Sequence, residues 1–191
     1  MKFIHIMDGP PLFTNGFLLV GSEGNAVAVD PSADIKKFAK LLEENNAKLT
    51  HIFLTHGHFD HVGSVAALRE KYGAKVYMNT ADEKMAGLKA DASFEDGSSL
   101  TVDDMELRIF FTPGHSPGSV CIRMGNYLFT GDTLFASDIG RTDLPGGSPA
   151  EMRSSLQKIV ALTPDNPQVL PGHEEFSTMD EERKVNPYLR F

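Results

Sequence analysis

The amino-acid sequence predicts one domain of mixed α/β or α+β class, and three observations carry that expectation. The chain has 191 residues, the size of one domain or at most two small ones. Short apolar, strand-like runs are interleaved with amphipathic helical stretches. Glycine and proline punctuate the sequence evenly, with no low-complexity linker or charge block to mark a boundary. A chain of this size buries roughly 70% of the surface it exposes when unfolded, so it needs no disulfide scaffold. Cys121 is the sole cysteine, and in the run Ser119–Arg123 it reads as a small buried hydrophobe rather than a nucleophile.

Strands are expected at Phe3–Met7, Gly16–Val20 and Asn25–Asp30. A helix follows in which Ile35, Phe38, Ala39 and Leu42 share a face, with Ser32 as its cap. Next come an apolar run at Ile52–Thr55, a helix over Val62–Tyr72, a short strand at Lys75–Asn79 and a helix starting near Thr80. Strand-like runs recur at Met105–Thr112, Ser119–Met124 and Tyr127–Thr130, the last two joined by a tight Gly125-Asn126 hairpin. The final long helix has Ser148 as cap, Pro149 at its first position and Glu151 closing a capping box. Met152, Leu156, Ile159 and Val160 form its buried stripe.

Eighteen basic against 26 acidic residues give a net charge of −8. That argues against nucleic acid as a ligand, because phosphate neutralisation demands clustered Lys and Arg. No apolar stretch is long enough to span a membrane. The N-terminal segment breaks at Asp8 and Pro10-Pro11, unlike a secretory signal, so a reducing cytoplasm is the expected setting.

Function is carried by the histidines. Residues 55–63 read Thr-His-Gly-His-Phe-Asp-His-Val-Gly. In an extended segment His56 and His58 project to the same side, whereas Asp60 and His61 follow where the chain turns towards a helix. By chance this pattern would arise in roughly one chain in a thousand of this composition. The theme repeats downstream: His115 follows Ile109–Thr112, Asp132 follows Tyr127–Thr130, and His173 follows Gln168–Leu170, each next to a glycine. Strand ends gathered at one rim of a sheet converge ligands rigidly. His5 and His51 lie outside the pattern and read as ordinary strand residues.

Five imidazoles and two carboxylates facing two divalent cations leave the site formally positive, which suits an acyl oxygen gaining negative charge. Water is the expected nucleophile. No Gly-x-Ser-x-Gly elbow, Walker loop or dinucleotide fingerprint competes for the chemistry.

With these residues assembled, the chain resembles metallo-β-lactamase-fold hydrolases, and among them the short glyoxalase II-like (hydroxyacylglutathione hydrolase) proteins. The likeness covers THGHFDHVG, TPGHSPGSV at 112–120, GDTLF at 131–135, GRTDLPGG at 140–147 and LPGHEE at 170–175. It implies a four-layer α/β/β/α sandwich with metals at one edge. His56, His58 and His115 would hold the first ion. Asp60, His61 and His173 would hold the second, and Asp132 would bridge. Zinc is the first expectation, with iron or manganese compatible with nitrogen and oxygen ligands. Asp60 would act in catalysis beside a hydroxide shared by the ions.

The implied substrate is a thioester, possible also from the leaving group: a thiolate departs unprotonated, whereas an amine needs a general acid. Longer relatives carry a C-terminal helical domain that grips glutathione; only 18 residues follow His173 here, so a single domain without it is expected. Arg141 reads equally as a clamp for a substrate carboxylate or as an ion pair with Asp143. Two enzyme alternatives stand: a mononuclear iron persulfide dioxygenase using His56, His115 and Asp132, or a lactonase-type metallo-hydrolase. An inactive metal-binding scaffold would show a substituted ligand, and all seven positions are intact.

Overall fold

Period-two alternation sorts the strand side chains onto two faces, and those faces define the layers. The computed structural model describes residues 1–191 and contains two six-stranded sheets. The first orders β1 (Lys2–Met7), β2 (Asn15–Val20), β3 (Asn25–Val29), β4 (Lys48–Phe53), β5 (Lys75–Met78) and β6 (Ala92–Ser93) side by side. The second places β7 (Ser99–Val102), β8 (Met105–Phe111), β9 (Val120–Met124), β10 (Tyr127–Gly131), β11 (Gln168–Pro171) and β12 (Ser177–Thr178) in the same sequential fashion. The helices are α1 (Ile35–Glu44), α2 (Val65–Tyr72), α3 (Glu83–Ala86), α4 (Pro149–Leu162) and α5 (Met179–Val185).

Between the sheets, Phe17, Leu19, Val27 and Val29 meet Ile109, Ile122, Phe129 and Leu170 in one buried cluster. Their neighbours Leu18, Ala26, Ala28 and Ile52 face the other way, onto Phe38 and Leu42 of α1 and Val65 and Leu68 of α2. On the far side Phe110, Cys121, Leu128 and Val169 pack against Met152, Leu156 and Ile159 of α4 and Met179 of α5. Each such Phe or Leu contributes roughly 1.5–3 kcal/mol by leaving water. The outcome is the four-layer α/β/β/α sandwich that the resemblance implied. Cys121 is fully buried, and burial pushes its thiol up to about 11, so it behaves as core.

The local signals are met with exceptions. Ser148 caps α4 by accepting from the Glu151 N–H, with Pro149 at the first turn. The Gly125-Asn126 turn joins antiparallel strands in which Tyr127 pairs with Met124. Asp34, not Ser32, caps α1: its carboxylate accepts from the Lys36 N–H. The expected helix at Val62–Tyr72 begins only at Val65, and the one near Thr80 is a 3-10 turn over Thr80–Asp82 leading into the single turn of α3.

What positions the site is strand direction. β3, β4 and β5 run parallel, and so do β10 and β11. β8 and β10 each pair antiparallel with β9, so they point the same way as each other. The Thr55 carbonyl accepts from the Val120 N–H at 2.8 Å, which ties the two sheets together beside the ends of β4 and β8.

Candidate metal centre

Every sequence-nominated histidine and aspartate reaches this rim directly after a strand, or within the loop between β4 and α2 that carries His56, His58, Asp60 and His61. Their donor atoms fall into two groups, His56–His58–His115 and Asp60–His61–His173, each within a metal ion's reach, and His56 and His61 form a third with Asp30. In the first, His115 Nε2 and His58 Nδ1 are 2.8 Å apart, and the His56 ring stands 4.9 Å from that of His58 and 5.0 Å from that of His115. In the second, His61 Nε2 is 3.3 Å from His173 Nε2, which lies 3.2 Å from Asp60 Oδ2. Asp132 stands between them: Oδ1 is 3.4 Å from His61 Nε2 and Oδ2 is 3.4 Å from His115 Nε2.

The far side of each ring decides which nitrogen is free. His115 Nδ1 donates to the Arg141 carbonyl oxygen at 2.8 Å, and His173 Nδ1 donates to the Leu12 carbonyl oxygen at 3.1 Å. His61 Nδ1 donates to Asp30 Oδ2 at 3.0 Å. The Thr55 hydroxyl also gives its proton to Asp30 Oδ2, at 2.6 Å, so it must accept from His56 Nδ1 at 3.1 Å. All four rings are thereby oriented with Nε2 aimed into the pocket, the arrangement that metal-binding histidines require.

Two buried atoms inside the pocket, His56 Nε2 and Asp132 Oδ1, have no hydrogen-bond partner. Such orphans are costly unless something else satisfies them. The electrostatics agree. Burial drives the His56 imidazole well below its usual range, with the His61 charge adding to this, so it stays neutral. Burial likewise lowers His58. Burial opposes charge on His61, yet the Asp132 and Asp30 carboxylates outweigh it and raise His61 well above its usual value. Burial would raise Asp132, but the His61, His56 and His115 rings hold it far below the carboxylate range. Asp60 is also held low: burial is outweighed by its bond to His173 and the charge of His61. A buried carboxylate ringed by imidazoles is a place built for positive charge, and this donor set fits divalent cations.

Arg141 sits differently. Its guanidinium makes a two-pronged pair with Asp143, Nε to Oδ1 and an Nη to Oδ2 at 2.7 Å each, in solvent. Only its backbone carbonyl touches the centre. His5 bonds Asn15, which in turn donates to the Pro171 and Glu174 carbonyls on either side of His173, and His51 bonds Thr50.

The sequence reading missed two carboxylates. Asp30, read as the last residue of a strand, lies beyond β3 at φ +45°. It is buried and accepts from the Thr55 N–H, the Thr55 hydroxyl and His61. Asp82, also buried, accepts from Gly57, Ser116 and Gly118. Each signal was a lone Asp between an apolar run and a helix, which a cap or turn explains equally well.

The metallo-beta-lactamase superfamily family model matches residues 9–173. A hydroxyacylglutathione hydrolase, GloC of Haemophilus influenzae, is 29% identical and covers 92% of both chains. Among solved structures, ETHE1 from Myxococcus xanthus superposes with a TM-score of 0.89 at 29% identity, covering 98% of this chain and 84% of the other. BLEG-1 B3 metallo-beta-lactamase gives 0.88 at 34% identity over the whole of both chains. The chain belongs to the metallo-beta-lactamase superfamily.

Proposed function

We propose that the protein is a metal-dependent thioester hydrolase that cleaves S-(hydroxyacyl)glutathione to a hydroxy acid and glutathione. The observation that carries the reading is the orientation of the imidazoles: the Nδ1 protons of His56, His61, His115 and His173 are all committed outward. None of those protons is available to a departing amine, whereas a thiolate with a conjugate acid near pKa 8.5 needs none. Resemblance to GloC points the same way.

His56, His58 and His115 would hold one divalent cation and Asp60, His61 and His173 the other, with Asp132 between them; zinc is the expected metal. When bound, such ions supply Lewis acidity to an acyl oxygen and lower the pKa of water towards neutrality. The chain's own groups do the rest. The Asp60 carboxylate, ionised and steadied by His173, accepts a hydrogen bond from the attacking water and orients it. Phe59 lies 72% exposed between His58 and Asp60, and Leu12, whose carbonyl holds His173, is also exposed. Each offers an organic substrate an apolar surface beside one of these side chains.

The test is thiol release from S-lactoylglutathione within a panel of other thioesters, lactones and β-lactams, before and after chelation and with elemental analysis of the protein. Thioester cleavage that disappears on chelation and returns with metal is the expected result; preference for a lactone or β-lactam would overturn the substrate assignment. A persulfide dioxygenase is the second reading, favoured by the likeness to ETHE1. His56, His115 and Asp132 would then hold a single iron, and glutathione persulfide would drive oxygen uptake.

Arg141 is proposed to exchange Asp143 for a substrate carboxylate, since the same planar fork serves both. Arg141→Ala should raise KM for S-lactoylglutathione by about tenfold, as loss of one charge-assisted pair implies. Its kcat and melting temperature should barely move, because an exposed pair adds little to stability. An equal fall in activity on a neutral thioester would assign Arg141 to structure instead.

A further inference from the structure

Both motif segments that supply the first histidine triad lean on one carboxylate. Gly57 separates His56 from His58, and its N–H donates to Asp82 Oδ2 at 3.0 Å. Ser116, next to His115, donates its hydroxyl to the same oxygen at 2.6 Å, and the Gly118 N–H donates to Asp82 Oδ1 at 2.7 Å. The Ser116 oxygen and N–H are in turn tied to the Ser119 hydroxyl, which closes the network. Asp82 is completely buried.

Two further features set this carboxylate apart from an ordinary helix cap. Asp82 occupies the N-cap position of α3 but makes no side-chain bond to that helix, whereas Asp34 and Asn79 do cap the turns they precede. The stabilising cap that an Asp offers at this position is forgone here. The contact is also tight enough to account for both glycines. A Cβ on residue 57 would come within 2.6 Å of the Asp82 carbonyl oxygen, and one on residue 118 within 2.6 Å of the Asp82 carboxyl carbon. The glycines of THGH and SPGS are therefore places where backbone must approach Asp82 closely. The Asp60–His61–His173 group makes no use of Asp82 and is held through the Leu12 carbonyl and Asp30, which also reaches His56 through the Thr55 hydroxyl.

We propose that Asp82 is a positioning residue for the metal centre: by drawing Gly57, Ser116 and Gly118 together it sets the spacing of His56, His58 and His115 around one cation. The inference concerns metal binding and holds whatever the substrate is.

Asp82→Asn keeps the shape but replaces one acceptor oxygen by a donor, opposite either Gly118 or the Gly57–Ser116 pair. Ser116→Ala removes one donor and leaves the carboxylate in place. Zinc affinity is measured by competition with a chromophoric chelator, the occupied rings are identified by ¹⁵N NMR of the histidines, and the metal-free proteins are melted. For Asp82→Asn, one zinc equivalent should weaken about 10–100-fold, the range known for groups that orient metal ligands. The rings that lose metal should be His56, His58 and His115, while His61 and His173 keep theirs. Ser116→Ala should move the same equivalent by less, and both metal-free variants should melt close to the parent. Unchanged zinc affinity, or loss from both groups in step with a lowered melting point, would overturn the proposal. If Asp82→Asn does not fold, Ser116→Ala decides: wild-type zinc binding there refutes it. No substrate enters the experiment, so its failure is separate from failure of the thioesterase reading.

Discussion

Replacing His58 by alanine is expected to lower kcat/KM for thioester cleavage by a thousandfold or more while leaving the fold in place. The magnitude follows from what the ring does. His58 is one of three nitrogen donors in its group, and its Nδ1 stands 2.8 Å from His115 Nε2. Without it, a cation there keeps two imidazoles and its affinity collapses. Loss of that electrostatic stabilisation is worth on the order of 4 kcal/mol in the barrier, about a thousandfold in rate. The fold should survive because His58 is only half-buried and its sole side-chain bond is to another ligand. Elemental analysis should show less metal per chain, and the metal-free variant should melt near the metal-free parent. His51→Ala is the matched control: this imidazole lies in β4 itself, bonds Thr50 and packs edge-on to Phe53 and at a tilt to Tyr77. It should change neither metal content nor rate. A fully active, fully metallated His58→Ala protein would sink the assignment of this group.

Much of the candidate centre was readable because metal-competent side chains announce themselves in one dimension. His115, Asp132 and His173 each stand just past an apolar run, and strand direction then carries all three to one rim. Four more donors share a single six-residue segment. The strands were legible but not their faces: β2, β3 and β9 are apolar and buried at nearly every position, so which residues face which layer shows only in the structure.

What escaped the sequence is what depends on partners far along the chain. β6 and β12 are two residues each, too short for any periodicity to show. Helix α5 reads Met-Asp-Glu-Glu-Arg-Lys-Val, a charged run in which Met179 is buried in the cluster under α4 and Glu182 accepts from the Ser137 N–H, 45 positions back, and from Asn186. Ser32 and Asp34 are both good caps, and geometry alone chose Asp34. Asp30 is the costliest omission. In Val-Asp-Pro-Ser it looks like a turn residue, yet its partners Thr55 and His61 lie 25 and 31 positions on.

Asp30 also yields the sharpest separation between stability and chemistry. Asp30→Ala should strip three buried donors of their acceptor: the Thr55 N–H, the Thr55 hydroxyl and His61 Nδ1. Removing one side of a buried charged network typically costs about 3–5 kcal/mol, enough to lower the melting temperature by about 10 °C in a chain this long. Asp30→Asn is the more informative change. Its amide oxygen can still serve the Thr55 N–H, which keeps much of the fold's stability. Its NH₂ then faces both His61 Nδ1 and the Thr55 hydroxyl and can only donate, so His61 must move its proton to Nε2, the nitrogen aimed at Asp132 and His173, and the Thr55 hydroxyl turns its own proton towards His56 Nδ1. A ring protonated there cannot ligate. The expected variant is folded, has His61 in the Nε2–H form by ¹⁵N NMR, and binds metal about 10–100-fold more weakly at the Asp60–His61–His173 group, with a further loss at His56, which Asp30 reaches through Thr55. Wild-type metal affinity in a folded Asp30→Asn protein would show that Asp30 only packs the rim, because the proton on His61 would then be indifferent to the group that receives it.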